Sequence, residues 1–156
     1  MINRHNRERA ASLIEQLRDG TLSNFDFEAQ WPQCRSDRAL KAIGSMLWRY
    51  YDDLFEHTLT EAYAVSGEAR EIFDRCALFL FSDLEYLWPR DDFFDAGVDS
   101  GSGLLGLSDT CFDFPDCDPE GTGVGGDIAV WPFMRAAEFD QTRRTHADRV
   151  TEPRQE

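Results

Sequence analysis

The sequence contains no long apolar run. A membrane-spanning helix needs about 20 consecutive apolar residues, and no stretch of the 156 residues approaches that length. The first 20 residues carry Arg4, Arg7, Glu8, Arg9 and Glu15, where a signal peptide would have an apolar stretch. We therefore expect a cytoplasmic protein that does not contact a membrane.

Basic residues are scarce. The chain has 16 Lys and Arg against 30 Asp and Glu, which gives a formal net charge of -14 at pH 7. A protein of this sign is repelled by the phosphate backbone of nucleic acids, so direct nucleic-acid binding is not expected. A chain this acidic can instead mimic nucleic acid and occupy a groove that normally binds it, and this alternative stays open.

Closely spaced cysteine pairs are also missing. The four cysteines contain no Cys-x-x-Cys pair, and a domain of this length can bury an adequate core without disulfides. We therefore expect free thiols. Cys111 and Cys117 are separated by only five residues, so a bridge between these two remains an alternative. Two cysteines without a nearby histidine fall short of a zinc site.

Apolar residues recur at helical spacing in four parts of the chain. This periodicity predicts helices near residues 4–19, 37–60, 67–88 and 132–145, together with a brief helical segment that ends before Pro32. The second helix is expected to begin at an Asp37 cap and to turn Tyr50, Tyr51 and Leu54 toward the core, with Trp48 beside them. The tail from residue 146 is expected to fray.

The composition changes sharply over residues 91–134, which we call the acidic segment. It holds ten acids, eight of the eleven glycines and no Lys, Arg or His. Most of it, residues 91–131, is predicted to be a long acidic loop inserted before the last helix, and loops of this length in compact domains are usually either functional or disordered. The predicted fold is mainly α, a single domain of about four helices over residues 1–156.

Two glycine-rich runs and one acidic run resemble known ligand loops only in part. Gly101–Gly106 and Gly121–Gly126 match the spacing of a dinucleotide site, but neither follows a predicted strand and no basic residue is near. Residues 116–127 match some oxygen positions of a calcium loop, with Asp127 in place of the bidentate Glu. We predict no cofactor and no resident metal, and leave open a divalent cation on this acidic run.

Several carboxylates lie on the predicted second and third helices. A small hydrolase or a metal-dependent enzyme could use Asp52, Asp53, Glu56, His57 or Asp83, but no nucleophile or Glu-x-x-His pair accompanies them. Asp83 falls at the spacing of apolar residues on the third helix, so it is predicted to be buried, and a buried carboxylate must be paired. We therefore expect Asp83 to bind an Arg or an aromatic donor and to fix helix packing, and we predict no catalytic residue.

Three segments resemble small acidic helical immunity proteins of bacterial polymorphic and contact-dependent toxin systems. They run from Asp37 to His57, from Phe73 to Pro89 and from Val130 to Asp140, and cover about a third of the chain. The resemblance implies a protein that binds and neutralises a cognate toxin domain. It carries no binding residue over to this chain.

Charge and the aromatic residues interleaved with it point to where such a partner would bind. A toxin with a basic active-site cleft would be attracted to an acidic surface, and aromatic side chains would supply apolar anchors. The sequence therefore predicts partner binding through residues of the acidic segment, with the enzyme and the nucleic-acid mimic as alternatives. The predicted contact residues are Asp91, Asp92, Phe93, Phe94, Asp95, Asp99, Phe112, Asp113, Asp116 and Asp118.

Overall fold

The computed structural model of the chain describes residues 1–34, 36–88 and 126–151. The chain divides into two units, one formed by Met1–Leu87 with Gly126–Glu156 and the other by Trp88–Gly125. The first unit contains every described residue except Trp88. A single domain over the whole chain therefore stays a prediction.

The described residues form five α-helices and no strand, which confirms the predicted mainly helical fold. Side chains of Asn3, Ser23, Asp37 and Ser66 cap the first four helices, each by accepting a hydrogen bond from a backbone N–H of the first turn. None of the five, within the part of the chain that is described, is long and apolar enough to span a membrane. The helices are α1 Arg4–Arg18, α2 Asn24–Gln30, α3 Arg38–Leu47, α4 Gly67–Phe81 and α5 Ala136–Thr151.

The core lies mainly between α1 and α4. Ile14 and Leu17 of α1 and Phe73 and Leu80 of α4 are fully buried, as the 3.6-residue period of their apolar positions predicts. α2 packs on α1, and α3 and α5 pack on α4. The α5 side of the core is aromatic, and the ring of Phe133, just before α5, meets Phe79 edge-on at 5.2 Å between centroids.

A buried ion pair joins α1 to the start of α3. Arg7 Nε lies 2.7 Å from Asp37 Oδ2 and Arg7 Nη2 lies 2.9 Å from Asp37 Oδ1, with side-chain exposures of only 1% and 2%. Arg7 Nη1 also donates to the carbonyl oxygen of Leu84, and Asp37 accepts from the backbone N–H groups of Asn3 and Ala39. These bonds satisfy both charges, which isolated burial would not allow.

Asp83 does not hold the buried position that the sequence predicts for it. Its side chain is 77% exposed and forms an ion pair with Arg4 of α1. The helical spacing fails because α4 ends at Phe81, where Ser82 turns to an extended conformation and its hydroxyl donates to the carbonyl oxygen of Phe79. The predicted pairing with an Arg is found, but at the surface, and Asp37 is the buried carboxylate instead.

Three predicted helix ends are also wrong. α3 stops at Leu47 rather than 60 and is followed by a 3-10 turn, Trp48–Tyr50, so that Trp48, Leu54 and Phe55 are exposed. α5 begins at Ala136 rather than 132, because Pro132 and its neighbours are buried outside helical structure, and it continues to Thr151, beyond the expected start of fraying. The brief segment before Pro32 is confirmed as α2.

The described cysteines are free thiols, as predicted. Cys34 is partly exposed, and Cys76 is completely buried in α4. Burial raises the pKa of the Cys76 thiol, which keeps it protonated and unreactive. Cys111 and Cys117 lie outside the described residues.

Replacing Asp37 with Asn should destabilise the protein strongly. The variant leaves the Arg7 charge buried without its counter-ion, which typically costs about 3–5 kcal/mol in unfolding free energy. Asp19→Asn is the matched control, because Asp19 pairs with Arg18 at the exposed surface, where loss of a pair costs about 1 kcal/mol or less. Urea unfolding followed by circular dichroism measures both. Equal losses in the two variants would contradict a special role for the buried pair.

Acid should remove the contribution of Asp37. Burial alone would raise the pKa of this carboxyl, but hydrogen bonds from Arg7, Asn3 and Ala39 outweigh burial and hold the pKa below its ordinary value. The contribution is therefore complete above the unfolded pKa of about 3.9 and falls as the pH drops toward the folded pKa. The stability difference between wild type and Asp37→Asn should stay constant from pH 7 to about 5 and shrink below about pH 4. A difference that grows in acid would contradict this assignment.

Candidate functional site

The contact residues predicted in the acidic segment cannot be compared with the structure. All ten, from Asp91 to Asp118, lie outside the described residues. Of the calcium-like run, Asp127 is described, and its carboxylate accepts a hydrogen bond from the backbone N–H of Ala129 at 3.0 Å. Binding by these ten residues therefore stays a prediction, and the described residues offer a different surface.

Asn24 holds the segment after α3 against the start of α2. Its side chain is fully buried, and Nδ2 donates to the carbonyl oxygens of Asp52 at 2.7 Å and Phe55 at 3.0 Å. Its Oδ1 accepts from the backbone N–H of His57 at 2.8 Å, and its own backbone N–H donates to the carbonyl oxygen of His57. One amide thus satisfies three loop groups that have no helical partner. We call residues 24–30 and 50–63 together the loop face.

Large apolar side chains are exposed on the loop face. Phe25 is 42% exposed, Leu54 75%, Phe55 64% and Tyr63 47%, although all lie within or next to segments that Asn24 and its partners hold in place. Single exposed apolar residues are common, whereas several on one ordered surface mark an interaction site. The loop face therefore has the apolar component of a protein-binding surface.

The loop face is also purely acidic. It contains six acids and no Lys or Arg. Outside this face and the acidic segment, the chain has 14 acids and 16 Lys and Arg, a net charge of +2. The negative charge is therefore concentrated in two places, of which the loop face is the described one. Its acids are Asp26, Glu28, Asp52, Asp53, Glu56 and Glu61.

Carboxylates from both parts of the loop face converge near Tyr51. Burial raises the pKa of Tyr51, and the charge of Glu28, a hydrogen bond with Glu28 and the charge of Asp53 raise it further. The Tyr51 ring meets Phe27 of α2 edge-on at 6.1 Å. The tyrosine therefore remains a neutral donor that joins the acids to the apolar packing beneath them.

Phe27 and its neighbour Trp31 are positioned by a close approach to α3. Their rings lie 5.0 Å apart. Gly44 of α3 allows the indole of Trp31 to approach, since a Cβ at this position would lie 2.7 Å from the indole Nε1. The aromatic residues at the end of α2 therefore pack the loop face against α3.

His57 has hydrogen-bonding capacity that the described residues do not use. Its ring stacks on Tyr63 with centroids 4.0 Å apart, and Nδ1 lies 2.8 Å from the carbonyl oxygen of Phe55. A carbonyl oxygen accepts, so Nδ1 donates, and Nε2 is left buried without a partner among the described residues. The ring is fixed in orientation and belongs to the aromatic surface of the loop face.

The candidate catalytic residues do not form a catalytic arrangement with one another. Four of the five lie in the loop, but Glu56 accepts from the hydroxyl of Ser23 and Asp52 accepts from the backbone N–H of Leu54. Asp83, the fifth, pairs with Arg4 instead. Among the described residues, no group of three or more His, Cys, Asp and Glu side chains could hold a metal ion.

A cleft of about 160 Å³ lies elsewhere, beside the buried ion pair. Its lining includes Met1, Arg7, Asp37 and Tyr86, and none of the candidate catalytic residues. Arg7 and Asp37 are fully engaged with each other and with backbone groups. Arg7 and Asp37 are therefore not free for chemistry, and the other charged side chains that line the cleft are Arg38 and Glu85.

The sequence matches no family model, and the comparisons with curated proteins and with solved structures find no match. The similarity to immunity proteins therefore remains a prediction. The sequence pointed to three of the six acids of the loop face, Asp52, Asp53 and Glu56, but placed them on a helix and gave Asn24 no role in organising the segment. No local pattern signals this role, because the side chain of Asn24 bonds to backbone groups of Asp52, Phe55 and His57, which lie far along the chain.

Replacing Asn24 with Ala should make residues 52–57 open locally more often. The variant removes two donors and one acceptor that satisfy backbone groups, and an unsatisfied buried group costs about 1–3 kcal/mol. We expect the amide hydrogens of Leu54 and His57 to exchange with solvent at least about tenfold faster, while those in the centres of α1 and α4 keep most of their protection. Native-state hydrogen exchange measures both sets.

Gln30→Ala is the control for this variant, because Gln30 is exposed on the same helix. It should leave the exchange of both sets unchanged. Uniform acceleration throughout α1, α4 and the loop in Asn24→Ala would show a global loss of stability and contradict local release.

Proposed function

We propose that this chain is a stoichiometric inhibitor of the immunity type, which binds a basic toxin domain and blocks its activity. The observation that carries the proposal is the loop face, where exposed Phe, Leu and Tyr side chains share two segments with six acids and no Lys or Arg. Protein-binding surfaces commonly have aromatic side chains at their centre and polar or charged residues around them. The three segments that resemble immunity proteins support the same proposal.

Charge supports a basic partner in particular. The chain carries -14, concentrated in the acidic segment and on the loop face. Such a distribution raises the association rate with a cationic partner and suppresses binding of acidic ones. A toxin that acts on nucleic acid or another anionic substrate has a cationic active site, and blocking that site with an acidic protein explains inhibition without chemistry.

The proposal predicts a salt-sensitive complex of defined stoichiometry. The chain should be co-expressed with a basic toxin domain encoded beside its gene, and the purified complex should contain one copy of each. Toxin activity should fall to zero at one equivalent of the chain. The association rate, measured by stopped flow, should fall at least about tenfold between 50 and 500 mM salt, because added salt screens the attraction.

Two outcomes would contradict the proposal. Inhibition at far less than one equivalent would indicate catalytic inactivation of the toxin, and so an enzyme. An association rate independent of salt would show that the acidic surfaces do not guide binding. An unrelated protein of similar net charge serves as the control for non-specific attraction.

A further inference from the structure

We infer that the loop face is a docking surface for an arginine-bearing segment of a protein partner. The inference rests on the proposed function for the identity of the partner as a toxin, but not for the chemistry of docking. It assigns the main contacts to the described residues Phe25, Leu54, Phe55 and Tyr63 and to the acids around them.

Charge excludes the two occupants that the chain itself could provide. The acidic segment has ten acids and no basic residue, so it is repelled by a face that has six acids and no Lys or Arg. A second copy of the chain also carries -14. The remaining occupant is a partner of positive charge, which is complementary to the face.

Arginine fits this face better than lysine. Its planar guanidinium group can stack on an aromatic ring and at the same time donate two parallel hydrogen bonds to a carboxylate. The loop face carries both kinds of group, since the exposed rings of Phe55 and Tyr63 lie in the same segment of the chain as Asp52, Asp53 and Glu56. The ammonium group of lysine is a point charge that is strongly hydrated and lacks the fork of donors.

The loop face is also already ordered in the free chain. Asn24 fixes the carbonyl groups of Asp52, Phe55 and His57, and the ring of His57 stacks on Tyr63. Side chains and loops that are already ordered lose less conformational freedom on binding. Asn24 is therefore a positioning residue, and the exposed side chains make the contacts.

The test uses two short peptides as probes, blocked tetra-arginine and blocked tetra-lysine, added to the full chain labelled with ¹⁵N. Both peptides should contact the acidic segment through simple attraction. At the loop face, the amide shifts of residues 24–30 and 50–63 should saturate at least about threefold more tightly with tetra-arginine, the ratio expected for one added cation–π contact. A ratio of one at the loop face, or shifts confined to residues 91–118, would overturn the inference.

Matched variants separate the loop face from general surface effects. Leu54→Ala and Leu87→Ala each remove an exposed leucine, but only Leu54 belongs to the loop face. Likewise, Asp53→Asn with Glu61→Gln removes two charges from the face, and Glu71→Gln with Glu85→Gln removes two exposed charges elsewhere. The loop-face variants should weaken binding of tetra-arginine at the face at least about fivefold, and the control variants less than twofold. Equal effects of the paired variants would overturn the inference.

The same variants distinguish failure of this inference from failure of the proposed function. If a toxin domain is neutralised and Leu54→Ala with Phe55→Ala binds it as tightly as wild type, the docking surface is wrong and the inhibitor proposal stands. If tetra-arginine selects the loop face and no toxin is neutralised, the docking surface stands and the inhibitor proposal fails. Sedimentation of the free chain as a dimer that Phe55→Ala dissociates would assign the face to self-association and overturn the inference.

Discussion

The buried pair of Arg7 and Asp37 is the constraint on which the arrangement of the helices depends. Two charges with almost no exposure require each other and every remaining hydrogen bond, and those bonds come from the start of α1, the start of α3 and the chain after α4. A shift of any of these elements would leave a charge without a partner in the core. The pair therefore fixes the starts of α1 and α3 against the chain after α4.

Asn24 fixes the segment after α3 in a similar way. Backbone groups that leave a helix must find partners, and the segment after α3 finds them in one buried amide on α2. These bonds fix the backbone that carries the exposed apolar and acidic side chains of the loop face. Aromatic residues that are already ordered and are surrounded by acids lose little conformational freedom when they bind a cationic surface. Both features support the proposed docking of a cationic partner.

Sequence periodicity predicted the helices well where burial is continuous along one face, as in α1 and in α4 up to Phe81. It failed where an apolar pattern continued beyond the helix. Tyr50, Tyr51 and Leu54 keep helical spacing, yet the chain after Leu47 turns away, because its backbone groups bond to Asn24, which lies far away in sequence. The same error placed Asp83 in the core. A capping pattern identified Asp37 only as a helix start, since its partner lies 30 residues earlier.

The sequence by itself determined the helical class, the free thiols of Cys34 and Cys76, and the sign and concentration of charge, because these follow from composition and from contacts between neighbours along a helix. Only the tertiary structure decided which carboxylate is buried, where α3 ends and which aromatic side chains remain exposed. Those outcomes depend on partners distant in the chain: Arg7 for Asp37, and Asn24 for the loop from Asp52 to His57. Asp52, Asp53 and Glu56 could be named from the sequence, but the loop face that contains them follows only from contacts between residues distant in the chain.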